Sequence, residues 1–203
     1  MTDVPDLDVS RETMDRLQLY AELLRKWNPR INLVSKSTLK DLWTRHIADS
    51  AQIAQIAPDT GAYWADLGSG GGFPGLVVSI LGMETGHPTH VSLVESDVRK
   101  SAFLRTVIRE TGAPARVIND RIEDIAPLGA DVVSARALAD LSTLLEFAHR
   151  HLLPGGTALF LKGAQWKKEL PEAQSKWNFQ HRIAKSKTED GPVILSVTGV
   201  SRV

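Results

Sequence analysis

The decapeptide Asp66-Leu67-Gly68-Ser69-Gly70-Gly71-Gly72-Phe73-Pro74-Gly75 limits what this chain can fold into more than any other stretch of its 203 residues. It continues Tyr63-Trp64-Ala65-Asp66-Leu67, which reads as a strand, and leads into an apolar run that reads as a helix. Glycines in such a loop permit positive φ and let a ligand approach the main chain where a Cβ would clash. Pro74 suits the first turn of the helix, where its missing N–H is not wanted. Gly70 to Gly75 keep the G-x-G-x-x-G spacing, and Glu95 follows about twenty residues later, at the end of the next strand, placed to accept hydrogen bonds from ribose hydroxyls. A glycine loop alone is weak evidence. Strand, loop, helix, strand and terminal acid in that order indicate a nucleoside-containing cofactor.

The rest of the chain supplies the frame for such a loop. β-rich runs at 62–67, 90–95, 115–119, 131–135, 157–162 and 192–200 alternate with helix-like segments at 74–83, 97–111 and 139–152. This alternation predicts an α/β fold with a mostly parallel sheet covered by helices on both faces. Trp177 to Lys187 reads as a further strand, and Asp190-Gly191 as a turn, so the chain should close with an antiparallel hairpin. Before residue 60 the pattern is helical. Ser10 caps a helix over 10–28 that buries Met14, Leu17, Tyr20, Leu24 and Trp27 and stops at Asn28-Pro29. A second helix, capped by Ser37, covers 37–57 and breaks near Asp49. The expected organisation is a helical extension over 1–60 and a cofactor-binding domain over 61–203, in one folding unit.

Chemistry decides which cofactor. A dinucleotide needs a helix N-terminus free to hold its pyrophosphate. Pro74 removes one donor there, and Asp66 sets a negative charge beside the turn. S-adenosylmethionine carries no phosphate; its sulfonium and ammonium favour a carboxylate. The antiparallel ending agrees, giving a Rossmann-like class I methyltransferase fold with a seven-stranded sheet. Asp120-Arg121-Ile122-Glu123-Asp124, after the third strand, falls where such enzymes hold adenine. Ser134-Ala135-Arg136-Ala137, after the fourth, falls where the target meets the methyl group, and lacks the Asn/Asp-Pro-Pro-aromatic tetrad of exocyclic-amine methylation. With no cysteine in the chain, methylation at C5 of a pyrimidine through a thiolate adduct is excluded, as is a disulfide or a thiolate metal site. The six histidines show no metal-ligand spacing, and His149 and His151 read as a polar helix end. No apolar run reaches membrane-spanning length and no signal-peptide pattern opens the chain, so a cytoplasmic protein is expected.

Several landmarks are not general features of such enzymes: Lys26-Trp27-Asn28, Asn32-Leu33-Val34-Ser35, Arg45-His46-Ile47-Ala48-Asp49-Ser50 and Leu161-Lys162-Gly163, in this order around the glycine loop. By these the chain resembles the bacterial small-subunit ribosomal RNA guanine-N7 methyltransferases, the glucose-inhibited division protein B family, over nearly its whole length. The resemblance implies S-adenosyl-L-methionine held by Gly68, Gly70, Phe73, Ile122, Glu123 and Arg136, with Glu95 on the ribose. It implies a guanine of a conserved 16S rRNA loop near the decoding centre, methylated at N7, with 16S rRNA or the 30S subunit as partner and a monomeric enzyme. N7 offers a lone pair and carries no proton, so no acid or base is expected and Arg136 would position the reactants. Arg45, His46 and Lys162 would meet RNA, with Arg25, Lys26, Arg30, Lys36, Lys40, Lys167 and Lys168 as further basic candidates and Trp166 as a stacking platform. Zero net charge neither supports nor opposes an RNA partner. The residues alone leave open a small-metabolite methyltransferase and a cofactor-binding assembly factor without catalysis.

Overall fold

The computed structural model describes residues 7–58, 62–188 and 191–203. Helix α1, Arg11–Ile31, starts where Ser10 accepts a hydrogen bond from the Thr13 amide. Leu17, Tyr20 and Leu24 recur at helical spacing and are fully buried. The helix does not stop at Asn28 but runs through Pro29 for three more residues. Asn28 secures that end: its backbone carbonyl accepts from Asn32, which ends the helix at φ +50°, and its side chain accepts from the Val34 amide at 2.8 Å. The second helix also differs from expectation. Residues 36–41 form turns organised by Ser35, not by a cap at Ser37. A π-helical segment, Trp43–Ala48, then passes directly into α2, Asp49–Ile56. The expected break near Asp49 is absent: the helix continues there, and only its winding changes from π to α.

Strand β1, Tyr63–Leu67, leads through the glycine loop to α3, Gly75–Thr85; β2, His90–Val94, leads to α4, Val98–Thr111. Then follow β3, Ala115–Ile118, β4, Ala130–Arg136, and α5, Leu141–His151, capped by Asp140. The chain ends with β5, Leu152–Lys162, α6, Trp166–Lys176, β6, Trp177–Lys185, and β7, Val193–Arg202. Helix α6 was not legible in the sequence because Pro171, an apparent breaker, lies inside it. Of the expected turn, Asp190 lies outside the described residues.

Among the described residues seven strands form one sheet in the order β3-β2-β1-β4-β5-β7-β6. All neighbours are parallel except β7, which runs antiparallel to both β5 and β6. Helices α1 to α4 pack on one face, with Trp64, Leu76, Ile80, Phe103 and Val107 at the centre. Helices α5 and α6 pack on the other, over Leu67, Val133, Phe160, Trp166 and Trp177. Alternation along β1 explains the split, since Trp64 and Asp66 face α3 while Ala65 and Leu67 face α5. The strand order reverses between β1 and β4, which places a ligand crevice at their carboxyl ends. Among the described residues no helix is long and apolar enough to cross a membrane.

Candidate active site

Strand register assembles the site. Leu67 pairs with Val94 and with Ala135, and Val94 pairs with Ile118. The next residue on each strand is therefore Gly68, Glu95, Asn119 or Arg136, and these four stand level along the carboxyl edge. Glu95 is fixed on both oxygens: Oε2 accepts from the Gly70 amide and Oε1 from the Asp97 amide, each at 2.8 Å. Asn119 donates to the Glu95 carbonyl at 2.8 Å. Each carboxylate oxygen keeps a lone pair for a ribose hydroxyl. Gly70 has φ +55° and nothing closer than 3.8 Å to where a Cβ would stand, whereas a Cβ on Gly68, Gly72 or Gly75 would come within 2.6 Å of a neighbouring leucine. The open space of the loop lies over Gly70.

Asp66 is fully buried and faces away from that space. Its Oδ1 accepts from Ser134 Oγ at 2.7 Å and its Oδ2 from the Gly75 amide at 3.2 Å, while Ser134 Oγ also accepts from Trp64 Nε1 at 2.8 Å. Burial raises the Asp66 pKa to about 6 despite these bonds. Asp66 thus braces the loop from beneath and does not serve as the exposed carboxylate expected beside a sulfonium. The brace has a second effect. With the Gly75 amide taken by Asp66, the Leu76 amide taken by Gly72 and no N–H on Pro74, the first positions of α3 offer no donor to a pyrophosphate. The loop fits a phosphate-free nucleoside cofactor.

Helix α1 reaches this loop. Tyr20 Oη donates to the Gly71 carbonyl, and its ring stacks on Phe73 with centroids 5.3 Å apart. In the sequence Tyr20 reads only as a core position. Phe73 in turn meets His46 of the π-helical segment at 4.9 Å. His46 is 9% exposed, and both of its ring nitrogens are shut from solvent with no hydrogen-bond partner. An unsatisfied buried polar group costs about 1–3 kcal/mol. Burial, then Arg136 and Arg45, push the His46 pKa down to about 3, so the ring is neutral. Arg136 Nη2 donates to the Arg45 carbonyl at 2.6 Å and lies 3.6 Å from Asp49 Oδ2. Asp49 Oδ1 is held by Ser186 and Thr188. The sequence singled out Arg45, His46 and Arg136, and the fold brings them together; Asp49 appeared there only as part of a landmark.

On the far side of Glu95, Ile122 is buried and Glu123 is exposed and paired with Arg121 at 3.1 Å. The end of α5 fixes this turn: His151 Nε2 donates to the Ile122 carbonyl at 3.1 Å and Arg150 to that of Ile125 at 2.8 Å. Lys162 lies apart from the surface. Its side chain is 10% exposed, pairs with Glu169 at 2.7 Å and donates to the Ala139 carbonyl. Trp166 is buried in the α5–α6 core, with Lys167 over its ring. Lys26, Arg30, Lys36 and Lys40 are exposed. Among the described residues no group of three or more His, Asp or Glu is arranged to hold a metal.

Comparison with known proteins agrees with this geometry. Residues 13–191 match the family model GidB, described as rRNA small subunit methyltransferase G. The ribosomal RNA small subunit methyltransferase G of Ruegeria pomeroyi is 59% identical over 98% of this chain and 99% of its own length. That of Paramagnetospirillum magneticum is 51% identical over 96% of this chain and 92% of its own. Two solved structures share the fold. A SAM-dependent methyltransferase from Aquifex aeolicus has a TM-score of 0.61 at 12% identity, covering 88% of this chain and 98% of that one. A methyltransferase from Geobacter sulfurreducens has 0.60 at 13%, covering 97% and 91%.

Proposed function

This chain belongs to the rRNA small subunit methyltransferase G family, and from that premise we propose that it methylates N7 of a guanine in a conserved 16S rRNA loop near the decoding centre. When bound, S-adenosylmethionine supplies an electrophilic methyl group on a sulfonium. Glu95 holds the ribose, Ile122 and Glu123 border the adenine, and Gly68, Gly70 and Phe73 shape the loop around the donor. Arg136, at the end of β4, orients the guanine. It is charged at any working pH, and its planar fork can bind a base edge while it leaves the Arg45 carbonyl.

The observation that carries the N7 assignment is the state of the site's acid–base groups. The histidine is held neutral with a pKa near 3, and Asp66 is sealed beneath the loop. Neither suits proton removal from an amine or a ribose hydroxyl, and the carboxylates of Glu95 and Asp49 are engaged by the Gly70 and Asp97 amides and by Arg136, Ser186 and Thr188, whereas N7 attacks through a free lone pair and needs alignment alone. The RNA backbone would meet Lys26, Arg30, Lys36, Lys40 and Arg45. The same reading gives a monomer acting in the cytoplasm on 16S rRNA, free or within the 30S subunit. The test is single-turnover methylation of 30S particles lacking the mark, with the product identified by nucleoside mass spectrometry. The rate should be level between about pH 6 and 9. A log-linear rise with pH, or a product other than 7-methylguanosine, would overturn the assignment.

A further inference from the structure

We propose that His46 reads the Watson–Crick edge of the target guanine, its imidazole supplying the hydrogen-bond acceptor that the N1–H of the base requires. The proposal rests on the reading that guanine is the substrate, and it turns the general RNA contact expected of His46 into the reading of one base edge.

The first ground is position. His46 packs against Phe73 of the cofactor loop, 4.9 Å away, and feels the charge of Arg136, which ends β4, one of the two strands between which the strand order reverses. A base held at the carboxyl end of β4 would lie beside this ring. The π-helical segment puts it there, and this rare geometry recurs at functional sites.

The second ground is an unmet chemical need. Both ring nitrogens of His46 are buried without a partner, although native proteins pair nearly all such atoms and the exceptions call for a reason. Packing gives none, because an aliphatic side chain of similar volume would fill the space at lower cost. A ligand that bonds the ring gives one.

The third ground is complementarity. Arg45 and Arg136 can only donate, and Asp49 is occupied by Arg136, Ser186 and Thr188. A neutral imidazole adds an acceptor to this set. Guanine presents an acceptor at O6 beside a donor at N1; adenine presents the reverse. With Arg136 facing O6 and His46 facing N1–H, guanine is matched at both atoms and adenine opposed at both. This grip also answers a difficulty of arginine at such a site. Its usual bidentate contact takes O6 together with N7 and would block the nucleophile. Holding the base by its Watson–Crick edge keeps Arg136 on O6 and turns N7 toward the donor. For the base to meet both groups, Arg136, which is partly exposed, must leave the Arg45 carbonyl.

The experiment compares the full-length protein with His46→Leu and His46→Gln in three measurements: thermal melting, S-adenosylmethionine affinity by calorimetry, and single-turnover formation of 7-methylguanosine on unmodified 30S particles. His46→Leu should melt at or above the wild-type temperature, because an unsatisfied buried group has been removed. It should bind the donor within about threefold of wild type and methylate on the order of ten- to a hundredfold more slowly. His46→Gln, which restores an acceptor, should recover a large part of the rate. A His46→Leu protein that fails to fold or melts several degrees lower identifies His46 as a packing residue and overturns the proposal. So does an unchanged rate, or a tenfold loss of donor affinity, which would assign the ring to the cofactor. Absence of 7-methylguanosine with the wild-type protein would instead strike the guanine assignment itself, and this proposal with it.

Discussion

The Gly70 amide donates to Glu95 Oε2 at 2.8 Å, joining the loop after β1 to the acid after β2. The loop residue with the most open space beside it is thus fastened to the carboxylate placed to bind the ribose. Cofactor affinity and loop order depend on the same bond.

Glu95→Ala should therefore weaken S-adenosylmethionine binding about ten- to a hundredfold, since hydrogen bonds to a charged acceptor contribute about 1.5–3 kcal/mol. Glu95→Gln should recover only part, because its amino group would face the amide of Gly70 or of Asp97. Calorimetry on the folded variants measures both. Unchanged affinity would assign the ribose to another residue.

Two loop glycines should respond differently to one added methyl group. Gly70→Ala carries the cost of a positive φ, about 1–2 kcal/mol, but its Cβ meets nothing closer than the Gly68 carbonyl at 3.8 Å, so it should fold and lose donor binding. Gly72→Ala, at φ +95°, drives its Cβ to 2.5 Å from Leu76 and 2.7 Å from Tyr20 Oη. It should lose a further 1–3 kcal/mol, roughly, to overpacking. Equal melting temperatures for the two variants would contradict the loop geometry.

Asp66 gives stability a pH dependence of definite sign. Its folded pKa, about 6, exceeds the ordinary 3.8, so between those values the folded state holds a proton that the unfolded chain has released. Stability from this group is greatest below about pH 4, falls as pH rises to about 6 and is level above, by an order of 2–3 kcal/mol in all. Asp66→Asn should remove that slope. Urea unfolding of both proteins from pH 4 to 7 isolates it, because the remaining carboxylates cancel in the difference. Parallel curves would show that Asp66 is not the titrating group.

Lys162 and the exposed lysines of the 36–40 segment should separate stability from RNA binding. Lys162→Met removes the partner of Glu169 and should cost on the order of 2 kcal/mol without altering the salt dependence of RNA affinity. Lys36→Ala with Lys40→Ala should leave the melting temperature unchanged and flatten the plot of log affinity against log salt by roughly one unit for each phosphate no longer neutralised. The reverse pattern would return Lys162 to the RNA face.

Local rules made the sheet, the glycine loop and Glu95 legible, because a glycine after a strand and an acid after the next strand act within their own segments. The misses have tertiary causes. Pro29 reads as a stop, yet it sits near a helix end secured by the Asn28 side chain, and Pro171 lies in a short helix, packed through Trp166 and Ala173, for which the sequence shows no helical pattern. Ser37 has the chemistry of a cap, but Ser35 organises the turn. Lys162 looks like any surface lysine until α6 brings Glu169 to it. Tyr20 occupies an ordinary apolar position of an amphipathic helix, and nothing near it in sequence reveals that its hydroxyl reaches Gly71. Long-range partners carry no local signature.

The place of β7 between β5 and β6 has a consequence for synthesis. A ribosome delivers β6 before β7, yet β7 is the only strand to which β6 is bonded in the described sheet. While the nascent chain waits for the later strand, Trp177 and Ile183 lie on a strand with unpaired edges, the kind of segment that recruits foreign strands. The edge closes only when Val193–Arg202 emerges and slots in beside β5. Nonsense mutations or pauses between residues 186 and 192 should therefore yield aggregating chains even though the whole cofactor site has already been translated.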